Sequence, residues 1–580
     1  MAWLSSSSTS HGHSYVAVPS GELMDGAADH FRTRQSAAPT RRSLVRSLKR
    51  FVVIFRIQVL VVVFLVATYT IYKQQVSPTV HLDRSLYMGL QVSEDVRSFL
   101  GIRYAAPPTQ GLRWRAPAPP APIIGLQDAT RAPPSCSDNE DCLFLNVHAP
   151  LNATRTSKLP VWFYIQGGGY HGLCCYNNNT QVVSEGNVVV VDMNYRTSAF
   201  GFLASKLLQS NGDLNIGLLD QRAALQWTHD HIEEFGGDPD HIVIHGTSAG
   251  AGSVAHHLTA YGGRNDGLFI GAIAQSPYIV PELHVPDLEW QFDAYVTAAQ
   301  CNGTSDPLHC LRTQDIDVLR AADTDYPFPG RQDQSMRSWG PVIDGDFLQD
   351  HVLNLFDRDR FIDVPLIVGD VPGEAVITAP NAATPEEVQI FFNQNDPTLN
   401  RTQLLSITDQ YPKGVLALDY EDYFNVASQA YSDAVFICPG LHITRAVARK
   451  GKSGVWNYNF NVSTTDAWRR GLGAWHMIDT GAIFGPYLYG LPLSDVALAY
   501  QSYNREFVDY TMNYFLSFVK TLSPNTLKHT NAPIFAQFMD NGTESRLKLE
   551  SQRTGMEYVP EQTLKNCGFW RNLQLAADFQ

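Results

Sequence analysis

Positive charge is in deficit in this 580-residue sequence: 43 lysines and arginines stand against 57 aspartates and glutamates, a formal net charge of −14. So acidic a chain does not build the basic surface that a phosphate backbone requires, which excludes a nucleic-acid partner. Metal-ligand patterns are missing as well. None of the eighteen histidines forms the His-Glu-x-x-His of a zinc helix, and nothing else in the sequence asks for a metal or an organic cofactor. Cysteine is scarce, eight in all, and none occurs before Cys136. Residues 1–40 are short of anything to bury, being rich in Ser, Ala, Gly and Thr, and are expected to be disordered.

The sequence changes character after that leader. Arg41, Arg42, Arg46, Lys49 and Arg50 form a basic cluster ahead of an apolar stretch, Phe51 to Tyr72, that carries no formal charge from Ile57 onward. Its length suits a membrane helix of about 17–25 residues, with Arg56 snorkelling. The charge bias places the N-terminus in the cytosol. The expected organisation is a tail with a basic juxtamembrane cluster (1–50), a transmembrane signal anchor (51–72), a stalk (73–80) and a catalytic domain (81–580), with secretion after cleavage as the alternative. Six Asn-x-Ser/Thr sequons (Asn152, Asn178, Asn302, Asn400, Asn461, Asn541) and all the cysteines lie beyond the apolar stretch, as a luminal or extracellular domain requires.

Within that domain the most informative stretch is Gly246-Thr247-Ser248-Ala249-Gly250. It comes after a β-rich run, His241-Ile242-Val243-Ile244-His245, and precedes a small-residue helix start. Strand, Gly-x-Ser-x-Gly, helix is the setting of a nucleophile elbow, whose sharp turn lifts the serine hydroxyl clear of the backbone. A second apolar run, Val161–Gln166, opens into Gly167-Gly168-Gly169-Tyr170. Side-chain-free amides there can face a tetrahedral oxyanion. The same glycines fit a dinucleotide fingerprint, Gly167-x-Gly169-x-x-Gly172, with Asp192 ending a later strand. That fingerprint needs a helix opening at its last glycine. Leu173-Cys174-Cys175-Tyr176 and the asparagines after it carry no helical period, so nucleotide binding is rejected.

A general base must come after the serine in this arrangement. His476, in Gly473-Ala474-Trp475-His476, satisfies the order, as do His351, His442 and His529. For the acid, the strand Pro365–Gly369 leads into a turn holding both Asp370 and Glu374; on local grounds either qualifies.

Several further motifs recur in order. They are Phe99–Ala105, Glu140–Val147, Asn194-Tyr195-Arg196, Asn215–Arg222, Phe235–Pro239, Gly340–Gly345, and the His476 stretch ending Phe484-Gly485. With the elbow and the glycine loop, they make the sequence resemble the type-B carboxylesterase/lipase family of the α/β-hydrolase fold from about Val80 to the C-terminus. That resemblance implies a large, mostly parallel sheet flanked by helices. It implies Ser248 as nucleophile, Glu374 as acid and His476 as base, and an oxyanion hole from Gly168, Gly169 and Ala249. Disulfides Cys136–Cys142 and Cys301–Cys310 match the family's, and Arg113–Glu140 and Arg196–Asp220 resemble its structural ion pairs; the sequence leaves open whether Cys438 pairs with Cys567.

The expected activity is hydrolysis of small to medium, mainly soluble esters through an acyl-enzyme. A lipase, or an inactive binding or adhesion protein on the same fold, is the alternative. Two departures bear on this. Thr247 stands where the family often has Glu, which weakens a cholinesterase reading. The first disulfide encloses only Ser137–Asp141, where the family usually has a long lid or choline-binding loop.

Overall fold

The computed structural model describes residues 51–64, 77–172, 178–331, 335, 338–414, 419–485, 499–502, 504–539, 542–551 and 553–577. The chain divides into two units, Met1–Tyr72 and Lys73–Gln580. In the first, residues 51–64 form a helix with its apolar side chains exposed, Phe51 at 69% and Phe64 at 67%. Among the described residues no helix is long and apolar enough to cross a membrane. The tail, its basic cluster and residues 65–72 of the expected anchor lie outside the described residues, as do Cys174, Cys175 and Asn541.

The second unit is organised by an eleven-stranded sheet. In chain order its strands are β1 (Leu90–Gln91), β2 (Val96–Arg103), β3 (Phe144–Pro150), β4 (Leu159–Ile165), β5 (Val189–Met193), β6 (Gly237–Thr247), β7 (Gly271–Gln275), β8 (Leu366–Asp370), β9 (Val455–Phe460), β10 (Ser545–Leu549) and β11 (Gly555–Tyr558). Their spatial order is β11-β10-β9-β8-β7-β6-β4-β5-β3-β2-β1. The seven from β10 to β5 run parallel, and antiparallel strands close both edges.

The central parallel strands β4, β5, β7 and β8 read as largely apolar runs because helices cover both faces. Alternate side chains divide between two cores. Val161, Phe163 and Ile165 of β4 join Ile242 and Ile244 of β6 on one face. Trp162 and Tyr164 join Val243, Ile273 and Ile367 on the other. The helix Ala249–Gly263 packs on the first face through Val254, Ala255 and Leu258. The helix Arg505–Thr521 packs on the second through Met512, Phe515, Phe518 and Val519. The parallel strands all point one way, so the loops after β4, β6, β7, β8 and β9 emerge together at one edge, where sheets of this kind carry their sites.

Among the described residues three disulfides tie the periphery. Cys136–Cys142 and Cys301–Cys310 close short loops, and Cys438–Cys567 links the helix Cys438–Lys450 to the C-terminal helix Glu561–Ala577. The expected ion pairs are both present and largely buried. Arg196 Nη2 lies 2.6 Å from Asp220 Oδ1. Arg113 Nη2 donates to Glu140 Oε2 at 3.0 Å, and its Nη1 donates to the carbonyls of Leu311, Arg312 and Gln314. The arginine thus pins the first disulfide loop to the end of the helix Pro307–Thr313, which carries Cys310.

Candidate active site

Ser248 sits between β6 and the helix Ala249–Gly263 with φ +62° and ψ −126°, a conformation an L residue adopts only under constraint. Three hydrogen bonds impose it. Its N–H donates to the Gln275 carbonyl at 2.9 Å, and its own carbonyl accepts from Gly252 (2.9 Å) and Tyr278 (3.1 Å). The flanking glycines are steric necessities. A Cβ on Gly246 would stand 2.0 Å from the Gly250 carbonyl oxygen, and one on Gly250 would stand 2.1 Å from that of Ile165. The Gly-x-Ser-x-Gly pattern is therefore a true strand–turn–helix elbow.

The loop after β4 lies directly on this turn. A Cβ on Gly167 would come within 2.7 Å of Ser248 Cβ. The next two residues turn left-handed, Gly168 with φ +112° and Gly169 with φ +62°, which frees their amides from the strand's ladder. Ala249 is the first residue of the elbow helix and is fully buried. The glycine loop and the helix N-terminus thus flank the serine from two sides, an arrangement suited to negative charge developing at a bound carbonyl.

Of the two candidate acids, one meets the histidine. Glu374 Oε2 lies 2.5 Å from His476 Nδ1, and Glu374 Oε1 accepts the Val371 N–H at 2.9 Å. Glu374 is wholly buried and His476 nearly so. Asp370 turns elsewhere: Asn459 Nδ2 donates to it at 2.6 Å and Arg546 Nη1 lies 3.5 Å away. Burial pushes the Asp370 carboxyl up to about 7, with Arg546 opposing.

Other histidines are occupied apart from this site. His351 faces Glu282 at 3.6 Å and His442 faces Asp357 at 2.9 Å. Asp192, the acid of the rejected fingerprint, accepts from Asn146 (2.7 Å) and Asn179 (2.8 Å) and lies 3.2 Å from His148 Nε2. It is saturated inside the protein, and among the described residues the next helix is Thr180–Gly186.

No hydrogen bond joins Ser248 to His476 among the described residues. Two bridges bring their loops together. The Phe436 ring packs at a tilt against both neighbours, its centroid 4.8 Å from that of His476 and 5.1 Å from that of Tyr278, whose N–H is bonded to the Ser248 carbonyl. Gln275 takes the Ser248 N–H on its carbonyl, while its side-chain amide donates to Asp479 Oδ1 (2.6 Å) and Thr480 Oγ1 (2.8 Å), just after His476. Gln275, Tyr278 and Phe436 carried no sequence signal, since a polar or aromatic residue near a strand end is commonplace. Asp479 was visible only as an acid three residues beyond the histidine.

A serine elbow at the edge of a mixed sheet in this order defines an α/β-hydrolase. A sequence model of the Carboxylesterase family matches residues 84–570. The crystal structure of Aspergillus niger EstA superposes with a TM-score of 0.83 at 44% identity, covering 87% of this chain and 99% of that one. Lipase 2 of Geotrichum candidum is 33% identical over 59% of this chain and 73% of its own length. Acetylcholinesterase 1 of Caenorhabditis briggsae is 27% identical over 83% of this chain and 85% of its own. The chain belongs to the carboxylesterase family and is a carboxylic ester hydrolase.

Proposed function

We propose that the protein is a serine esterase acting on small to medium, mainly soluble esters through Ser248, His476 and Glu374. The 2.5 Å contact between His476 Nδ1 and Glu374 Oε2 carries this reading. It fixes a proton on Nδ1 and leaves Nε2 as the basic nitrogen. Neutral His476 takes the Ser248 proton as Oγ attacks the ester carbonyl, and Glu374 stabilises the imidazolium that forms. The amides of Gly168, Gly169 and Ala249 receive the oxyanion, each contributing about 3 kcal/mol. The imidazolium then protonates the departing alcohol. Water, deprotonated by the same histidine, releases the acid from the acyl-serine and restores the hydroxyl. No step calls for a metal or organic cofactor.

The preference for dispersed esters rests on the Cys136–Cys142 loop. With a sequence separation of 6, it has no room for the flap that a lipase uses to meet an oil surface. Membrane attachment through residues 51–72, with the ester-hydrolysing unit on the luminal or extracellular side, rests on the exposed apolar helix at 51–64 and the basic cluster before it. Carbonate-resistant sedimentation of the full-length protein tests the attachment.

The decisive experiment is p-nitrophenyl butyrate hydrolysis by the full-length protein beside its Ser248→Ala variant. Turnover that disappears with the serine supports the esterase. A folded protein without Ser248-dependent turnover on a panel of esters points to a binding or adhesion role instead.

A further inference from the structure

Thr247 precedes the nucleophile, where a carboxylate would otherwise help to keep the histidine positive. Its hydroxyl accepts from Tyr164 (3.0 Å) and donates to Gln275 Oε1 (2.7 Å). A second donor converges on the same oxygen. Trp162 Nε1 lies 3.1 Å from His245 Nδ1, and an indole N–H can only donate. The His245 proton must therefore be on Nε2, which lies 3.2 Å from Gln275 Oε1. Burial drives the His245 imidazolium down to about 3, so the ring stays neutral wherever an esterase operates. With two donors on Oε1, the orientation of the Gln275 amide is fixed by chemistry. Its Nε2 must face outward, toward Asp479 Oδ1 and Thr480 Oγ1.

Asp479 is wholly buried, and Tyr458 from β9 donates to its other oxygen at 2.8 Å. It lies in the tight turn that carries His476, closed by Ile478 N–H to the Trp475 carbonyl and Thr480 N–H to that of Met477, both at 3.1 Å. Fixing Asp479 therefore fixes the histidine.

We propose that Gln275 and Asp479 form a positioning relay: Gln275 locks the serine elbow to the histidine turn, and Asp479 supplies His476 with the second carboxylate that Thr247 does not. This rests on the assignment of Ser248, His476 and Glu374 as the reacting triad. The groups facing Asp479 are Gln275 from β7, Tyr458 from β9, Glu374 from the loop after β8, and His476 and Thr480 of its own segment. Burial, then the charge of Glu374, pushes the Asp479 carboxyl up to about 6, while Tyr458, Gln275 and His476 pull against them. Above that pH Asp479 is an anion and works with Glu374 to favour the imidazolium.

The two residues separate in a test. Asp479→Asn keeps the contacts, because its oxygen still accepts from Gln275 and its amide can donate to the Tyr458 oxygen, but it removes the charge. Gln275→Met keeps the charge and removes the lock. The pH dependence of kcat/KM on p-nitrophenyl butyrate is measured for the full-length chain, these two variants, Asp479→Glu and Ser248→Ala, with thermal unfolding recorded in parallel.

In Asp479→Asn the acid limb should move down by roughly half a pH unit or more, as expected when an anion near His476 is lost. Its kcat should fall about 10- to 100-fold with KM changed little, the pattern of an interaction made in the transition state. Asp479→Glu should return the limb toward its original position. Gln275→Met should lower kcat while leaving the limb closer to wild type. Thr247→Val, which removes one donor from the same oxygen, gives the Gln275 readout if Gln275→Met does not fold. An unmoved limb in Asp479→Asn together with kcat within about twofold in every relay variant, a change too small for a lost transition-state contact, overturns the relay. If that happens while Ser248→Ala is dead, the serine-esterase reading survives. If Ser248→Ala remains active, that reading is what fails.

Discussion

His476 Nδ1 meets Glu374 Oε2 at 2.5 Å, while Asp370, four residues earlier on the same turn, points to Asn459 and Arg546. Local sequence admitted either carboxylate. The turn after β8 decides between them, because the last strand residue faces β9 and the loop beyond it folds back, holding Glu374 Oε1 on the Val371 N–H. Glu374→Gln should therefore cost roughly 10³–10⁴-fold in kcat through loss of the correct tautomer. Asp370→Asn should stay within about tenfold, because Asp370 does not touch the imidazole and acts only through packing. Steady-state kinetics on p-nitrophenyl butyrate distinguish the two, and equal losses would remove Glu374 from the site.

Three buried carboxyls, Asp370 at about 7 and Asp433 and Asp479 at about 6, titrate well above their ordinary value of 3.8, each chiefly through burial. Between those values the folded chain binds protons that the unfolded chain has released. Their contribution to stability is complete at acid pH, below about 4, and is lost as pH rises through 6 to 7. The unfolding temperature should accordingly drop between pH 5 and pH 8, and Asp370→Asn should flatten that slope. A steeper slope in the variant would contradict the assignment.

Gly246→Ala and Gly250→Ala place a methyl group about 2 Å from a carbonyl oxygen. Neither neighbour can yield, since both are backbone carbonyls, one in the elbow helix and one at the end of β4. Each substitution should destabilise by about 3 kcal/mol or more. Urea midpoints, or loss of soluble protein, check this, and a midpoint matching wild type would mean the turn is looser than these distances imply.

The disulfides should differ in weight. Cys438–Cys567 has a sequence separation of 129 and Cys136–Cys142 of only 6. Chain-entropy reasoning gives about 5 kcal/mol for the long loop and about 2 kcal/mol for the short one. Double serine variants of each pair, compared by urea denaturation, should rank in that order.

The short first loop makes one kinetic prediction. Hydrolysis of tributyrin should rise smoothly through its solubility limit, with no jump when droplets form. An abrupt activation at that limit would favour a lipase and require a flap elsewhere in the chain.

The amino-acid sequence by itself carried the family, the fold class and the serine, because these are written in local patterns: an apolar strand, glycines at two forced positions around Ser248, and a second glycine run after another strand. It also carried the short-range disulfides and the ion pairs Arg113–Glu140 and Arg196–Asp220, through the motifs in which those residues sit. Tertiary structure decided what depends on residues distant in the chain. The resemblance had already named Glu374 and His476, but only the fold brings them into contact across 102 positions, as it does Gln275 and Asp479 across 204. No periodicity or spacing relates such pairs. They meet because β6, β7, β8 and β9 run parallel and side by side, so that the turns at their ends converge on one edge of the sheet. The orientation of the Gln275 amide was beyond any sequence reading. It is set by the hydrogen-bonding capacities of Trp162, His245 and Thr247 once the fold has packed them against it.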